Sequence, residues 1–415
     1  MTRSAPRSRA RSVALSVLLS VLVVALLVPT GVLFAQNWRD QGDRASATAR
    51  ELDGVAYLRS LQQVAFAVVD AQSATVARQP VSRDAIVVAV QQADATDARL
   101  GGRLRTTERW NGIRSRLDTL RATPTASDPT QTTAAYREVG DLVLALYAKV
   151  RDESGLSHDP DADAFHLQSS AAGELPIAVI AAGRLADAAL LAVAARDASA
   201  GQPPTPASQQ QQLQLISELA AQRVTVQNAS NKLVDDLRSA VDSTESRTLG
   251  SNLLSRLDRY QRTADVVVAL FAQAATATAP ATDDDNNQTD GSLIGSARAG
   301  LQAAAGELSS TMLNEVERLL NTRADAIDRD RLLTGGAALV ALLLAVGFFL
   351  AYFLGGRRRP ARRAGLFPAA GPANPDALPP DRATSWPTVA PITGAPYQGA
   401  SQQNATQWGR SGATR

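Results

Sequence analysis

The chain has no cysteine, two histidines, and aromatic residues at only 4% of its 415 positions. Without cysteine there is no disulfide, no thiolate-bound zinc or iron–sulfur cluster, and no thiol nucleophile. His158 and His166, the only imidazoles, fall short of the three or four ligands a zinc site takes. No phosphate loop, nucleophile elbow, HExxH helix or paired glycosidase-type carboxylates stands out. We therefore expect no catalytic residue, no metal and no cofactor, and a protein that is not an enzyme. Alternating runs of Val, Ile and Thr bounded by turn residues are also scarce. Ala, Leu, Arg, Gln and Asp dominate, which favours helix over strand.

A net charge of +2 conceals an asymmetry. Arg3, Arg7, Arg9 and Arg11 precede residue 13 with no acidic residue among them. Beyond residue 354 there are eight basic residues and two acidic ones. The totals of 42 basic and 40 acidic residues therefore leave 30 basic against 38 acidic between, a net of −8. An acidic middle gives no footprint for nucleic acid, and none is expected as a partner.

Two long apolar stretches, residues 13–35 and 332–354, carry no charge. As helices each reaches roughly 34 Å, enough for a hydrocarbon core of about 30 Å. Both are expected to cross a lipid bilayer. Arginines stand just before the first stretch and just after the second, at Arg357, Arg358, Arg359, Arg362 and Arg363. The positive-inside rule then puts both termini in the cytoplasm and residues 36–331 outside. Trp38 and Tyr352 stand where interfacial aromatics are expected. The first stretch is long for a cleaved signal peptide, and Leu33-Phe34-Ala35 is a poor small-x-small cleavage site, so an uncleaved anchor is expected. In the second, Ala337, Ala341 and Ala345 recur at four-residue spacing; this reads as ordinary Ala-rich helix facing lipid, although such a stripe also allows close helix contact.

Between the spans the apolar periodicity is helical. Val139, Leu142, Val143, Leu146, Tyr147 and Val150 make one stripe. Leu58, Leu61, Ala65 and Val68 make another that continues from the first span. Leu301, Ala305, Leu308, Met312, Val316 and Leu319 make a third that runs into the second, with Asp325, Asp328 and Asp330 at its solvated end. Breaks are expected at Gln79-Pro80, 123–129, 154–160 and 200–206, with a polar loop at 276–291 and a weak break near Asp242-Ser243. That yields six or seven helices, with 207–275 either one bent helix or two. The expected fold class is all-α: an elongated antiparallel helical bundle between two transmembrane helices, either one rod or two stacked four-helix modules. Residues 355–415 are rich in Pro, Gly, Ala, Ser and Gln and are expected to be a disordered basic tail.

One segment is more specific. Residues 154–168 read SGLSHDPDADAFHLQ. Asp159-Pro160 has the form of a helix start, with Asp161 and Asp163 at the positive end of the helix dipole. The alternating aspartates are also the opening of a calcium loop. Its sixth and twelfth positions hold Ala164 and Ser170, however, where Gly and Glu are needed, and capping is the better reading. Asp283, Asp284 and Asp285 fail the same test.

This segment resembles one found in the outer helical domain of bacterial methyl-accepting chemotaxis receptors and related sensor proteins, of the form SGLTLDPDLDSYYLMD followed by an apolar stretch with Leu-Pro. Here Glu174-Leu175-Pro176 and Ala182-Gly183-Arg184-Leu185 follow it. The run Glu51-Leu52-Asp53-Gly54-Val55-Ala56-Tyr57-Leu58 and the spacing of Arg109-Trp110 are also similar to that family. The likeness covers the region between the spans. It departs where Phe165-His166-Leu167-Gln168-Ser169 replaces the Tyr-rich part, and where a Pro-rich stretch follows the second span in place of a signalling coiled coil or kinase. The resemblance implies an outer ligand-sensing domain in a bacterial plasma membrane protein, acting as a homodimer on a cytoplasmic signalling partner. Arg105, Arg109 and Arg114, spaced along the second outer helix, could hold a small anionic ligand, or form a solvated face paired with acidic neighbours. The competing functional reading is a cell-envelope scaffold that acts through its outer rod and Pro-rich tail.

Overall fold

The computed structural model describes residues 7–122, 129–158, 161–199, 203, 205–244, 249–276 and 284–355. It is all-α, with no strand among the described residues. Its helices are α1 (Arg7–Val76), α2 (Arg83–Leu104), α3 (Thr107–Ala122), α4 (Pro129–Ser154), α5 (Ala162–Ser169), α6 (Leu175–Ser199), α7 (Pro206–Ser243), α8 (Leu249–Thr276) and α9 (Asp284–Gly355). A π turn over Ser170–Glu174 joins α5 to α6. Tail residues 356–415 and the pair Asp159-Pro160 lie outside the described residues.

The amphipathic stripes explain why these helices associate. Val139, Val143, Leu146, Tyr147 and Val150 of α4 are buried, and Leu142 packs beside them. Leu58, Leu61, Ala65 and Val68 of α1 are buried, as are Leu301, Ala305, Leu308, Met312 and Val316 of α9. Every helix contributes to one contiguous apolar core, from Ile86 of α2 and Trp110 of α3 to Leu233 of α7 and Leu253 of α8. Full burial of each such side chain is worth about 1.5–3 kcal/mol, so packing, rather than intrinsic propensity, holds the helices.

Side-chain bonds set the register of α1 against α9. Gln41 Nε2 donates to Thr334 Oγ1 at 3.3 Å, Arg59 Nη2 meets Glu317 at 2.5 Å, Ser309 Oγ donates to Gln62 Oε1 at 2.9 Å, and Arg298 Nη1 meets Asp70 at 2.7 Å. Numbers on α9 fall as those on α1 rise, so the two run antiparallel. At 1.5 Å per residue their 70 and 72 residues extend about 105 Å each. Both are unbroken from the core through the uncharged stretches.

Among the described residues, two helical stretches are long and apolar enough to cross a membrane, Ala162–Ala195 and Ser292–Leu350. They differ in surroundings. The apolar window of the first is 67% buried, which makes it a core segment, whereas that of the second is 0% buried. Along residues 332–350 of α9, Leu332, Leu339, Leu343, Leu344 and Leu350 stand exposed; on α1 so do Val21, Leu22, Leu26, Val28, Val32 and Leu33. An apolar surface of that extent is not left to water.

Three expectations need correction. The second outer helix is two, α2 and α3, because Arg105 adopts φ 49°, ψ 41° and ends α2. The backbone N–H groups of Arg105 and Thr106 both turn back to Gly101 O. Asp97 locks the turn, accepting from Tyr57 Oη and Thr106 Oγ1, each at 2.8 Å. The left-handed residue is Arg rather than the usual Gly, so the break has no sequence signal. Second, the polar loop expected over 276–291 does not reach 291, since α9 already begins at Asp284. Third, the helix after the DPDAD segment starts at Ala162, two residues later than Asp159-Pro160 implies. The weak break near Asp242-Ser243 is real: α7 ends at Ser243 and α8 starts at Leu249.

Candidate functional site

The segment that carries the resemblance lies where α1 and α9 leave the core. Its approach is set by close packing. α4 ends at Ser154, which is buried and sits directly on Gly54 of α1. A Cβ at position 54 would fall 2.5 Å from Ser154 Cβ, so only glycine lets the two backbones meet. Gly155 then turns the chain with φ 90°, a region that favours glycine, and Leu156 buries its side chain beside Gly54.

Asp161 holds the N-cap position of α5, yet its side chain makes no capping hydrogen bond. Its Oδ2 lies 2.5 Å from Arg323 Nη2 on α9. Arg323 Nη1 in turn lies 3.4 Å from Glu51 Oε2 on α1. One guanidinium thus bridges α1, α5 and α9. The two halves differ in exposure: the Glu51 side chain is 9% exposed and Arg323 22%, while Asp161 is 61% exposed. Asp163, next along, accepts from Ala164 N at 2.8 Å and from Thr244 Oγ1 at 2.9 Å, at the end of α7.

The rest of the segment grips α7. His166 Nδ1 lies 3.2 Å from Asp236 Oδ1. Lys232 pairs with Glu174 and, at 3.4 Å, with Asp236. Leu167, Ala164, Ala171 and Ala172 are buried beneath. The π turn has a local cause. Pro176 has no N–H, and its ring crowds the carbonyl four residues back. Widening the turn relieves this, and Leu175 N donates to Ser170 O, five residues back.

The aspartates expected to cap a helix are therefore tie points. Asp161 reaches α9 and Asp163 reaches the end of α7, while Asp159 and Pro160 lie outside the described residues. The three candidate ligand arginines do not share one helix. Arg105 is in the α2–α3 turn, 3.9 Å from Glu153. Arg109 Nη1 donates to Ala145 O at 3.2 Å. Arg114 lies 3.4 Å from Asp94 and 3.9 Å from Asp118. Each has its own acceptor. Among the described residues, no three His, Asp or Glu side chains gather as a metal site would require.

Two buried polar centres were not anticipated. Asp187 of α6 is fully buried and accepts from Gln72 Nε2 and Ser73 Oγ of α1, both at 2.6 Å. Burial pushes its carboxyl above the ordinary carboxylate range, against the pull of Ser73, Gln72, Arg298 and Arg137. The sequence does hold a signal here: Asp187 is the lone acid in the apolar run LADAALLAVAA, where no face is polar enough to be its outside. The second centre is Asp97 with Tyr57 and Thr106, beside Trp110 Nε1, which donates to Asp94 at 2.8 Å. Burial pushes the Tyr57 hydroxyl well up. Arg323 was missed because a single arginine on a charged helix face carries no mark of its partners.

No family model, curated protein or solved structure matches the chain.

Proposed function

We propose that this is a two-span membrane protein whose outer helical domain senses a ligand and passes the event to the membrane through α1 and α9. In this reading residues 13–35 and 332–354 cross the bilayer, both termini are cytoplasmic, and the protein is a homodimer in a bacterial plasma membrane. The helices between the spans form one elongated antiparallel bundle, or two four-helix modules sharing a core.

One observation carries the reading. α1 and α9 run without a break from exposed apolar stretches into the shared core, and remain paired from Gln41–Thr334 to Asp70–Arg298. A continuous helix is stiff along its axis, so a displacement among the packed helices reaches the span without being absorbed by a loop. The resemblance of the DPDAD segment to chemotaxis-receptor outer domains supports the same direction. We place no ligand on Arg105, Arg109 or Arg114, because each is already engaged.

The test is thermal unfolding of the full chain in detergent against a broad metabolite panel. A ligand at 100 times its Kd stabilises the folded state by about 2.7 kcal/mol, so a true ligand raises the midpoint clearly. A flat panel, with specific capture of a cytoplasmic partner by residues 355–415, would favour the scaffold reading. That reading draws on the prolines of the tail and its Arg357–Arg363 cluster, a pattern suited to short-motif and anionic-lipid contacts.

A further inference from the structure

The first turns of α7 form a well-started helix that reaches no core. Pro206 stands in the first turn, and Thr205 and Ser208 cap it reciprocally. Yet the earliest buried residue of α7 is Leu219. Leu213, Ile216, Ala220 and Val224 recur at i, i+3, i+7 and i+11, which makes one apolar stripe. All four are exposed, Leu213 to 68%, Ile216 to 42% and Val224 to 54%. The stripe is turned away from Leu219, Val226 and Leu233, which are buried in the core. The same part of the chain lacks charge. Residues 198–217 hold no acidic or basic residue, the longest such run between the two spans, within a region of net charge −8. The first charge after it, Glu218, turns aside to Arg137 at 3.5 Å. Arg223 is the one charge close to the stripe, on a side chain long enough to keep its head in water.

We infer that this stripe is the contact between two copies of the chain, with α7 of one protomer lying parallel to α7 of its partner across a two-fold axis normal to the membrane. The inference rests on the homodimer of the proposed function and gives it a face. Charge selects the occupant. Two domains of net charge −8 repel one another over most of their surface, and like charges set opposite each other cost binding energy. An uncharged stripe meets itself without that cost. Symmetry agrees, because the spans hold both protomers in one orientation and a two-fold contact uses the same patch on each. A charged partner protein would find nothing on the stripe to recognise. A single stripe about 17 Å long does not cover the roughly 800 Å² per partner of a standard interface. The contact therefore depends on both copies being held in one membrane, where their effective concentration is high. Ala220 and Val224 form its centre. Leu213, at the outer end, is a rim position open to solvent and small reagents.

The natural absence of cysteine allows a direct test on the full chain in membrane vesicles. Single substitutions Ala220→Cys and Val224→Cys are oxidised mildly, and the rate of disulfide-linked dimer formation is measured. The reference is Val88→Cys on α2, a position exposed to 57%. The two α7 positions link roughly tenfold faster, because each lies beside its own copy. Adding Val224→Glu sets like charges at the centre of the contact and brings the Ala220→Cys rate down to that of Val88→Cys. Val88→Glu leaves the Ala220→Cys rate as it was. Equal rates at 220, 224 and 88, or no response to Val224→Glu, overturn the inference. So does a linked product whose mass is not that of two copies, which would mark another protein as the occupant. Single-molecule photobleaching of the labelled chain in the same vesicles separates the two levels of failure. Two-step bleaching without preferential linking at α7 refutes this face alone. Single-step bleaching refutes the homodimer of the proposed function as well.

Discussion

Asp187 is the residue whose environment departs furthest from what its side chain prefers. A carboxyl raised by burial is protonated more readily in the folded chain than in the unfolded one. Its contribution to stability is therefore fully present below the ordinary carboxylate range, and is lost as pH rises from there through the raised value. Asp187→Asn removes this titration while keeping an acceptor for Ser73. We expect the stability gap between variant and wild type to be level below about pH 4 and to move in favour of the variant above it. Thermal midpoints across pH measure this directly, at roughly 2–4 °C for each kcal/mol. Parallel curves for the two proteins would show that Asp187 does not titrate in that window. The physical conflict is plain: the carboxylate joins α6 to α1, and in exchange a charge is removed from water.

At the level of the element, the α2–α3 turn offers a matched pair of substitutions. Gly101 and Gly102 are adjacent and both helical, so sequence treats them alike. A Cβ on Gly101 would lie 2.3 Å from Asp97 Oδ1 and 2.4 Å from Thr107 Oγ1, whereas Gly102 has nothing within 4 Å. Asp97 cannot swing aside cheaply, because Tyr57 and Thr106 hold it. Gly101→Ala should therefore destabilise the fold by about 1–3 kcal/mol. Gly102→Ala should stabilise it by roughly 0.5–1 kcal/mol, the helix gain of Ala over Gly. Chemical denaturation of the two variants reads the difference; equal effects would mean that the Asp97 cluster is looser than its geometry implies. The same comparison marks what could be read beforehand. The stripes of α1, α4 and α9 were legible because burial follows a 3.6-residue period, as Leu58, Val143 and Leu308 illustrate. The α2–α3 break was not, because it rests on Arg105 in a left-handed conformation, in a turn tied to α1 through Asp97 and Tyr57.

For the whole molecule, the arrangement of α1 and α9 makes topology the decisive issue. With a cysteine-free chain, single substitutions report sidedness. Leu213→Cys, on an exposed stretch of α7, should react with a membrane-impermeant maleimide in intact cells. Gly365→Cys, beyond the second span, should react only after permeabilisation. Labelling of both from outside would refute the placement of the two termini. The exposed aliphatic side chains at 21–33 and 332–350 have no counterpart of that density on the rest of the described surface, which supports the proposed bilayer spans.

Composition and periodicity by themselves determined the helical class, the two uncharged stretches and the faces that become core, because each depends only on local residue type and a fixed helical repeat. They also marked 154–168 as unusual. Tertiary structure alone decided what that segment does: Asp161 meets Arg323, 162 residues away, and an N-cap position becomes a tie between helices. It likewise decided that Ala162–Ala195 lies inside the core while Ser292–Leu350 presents its apolar window outward. Hydropathy cannot separate those two fates, because an apolar helix is satisfied equally by other helices or by lipid, and only the neighbours show which one it has.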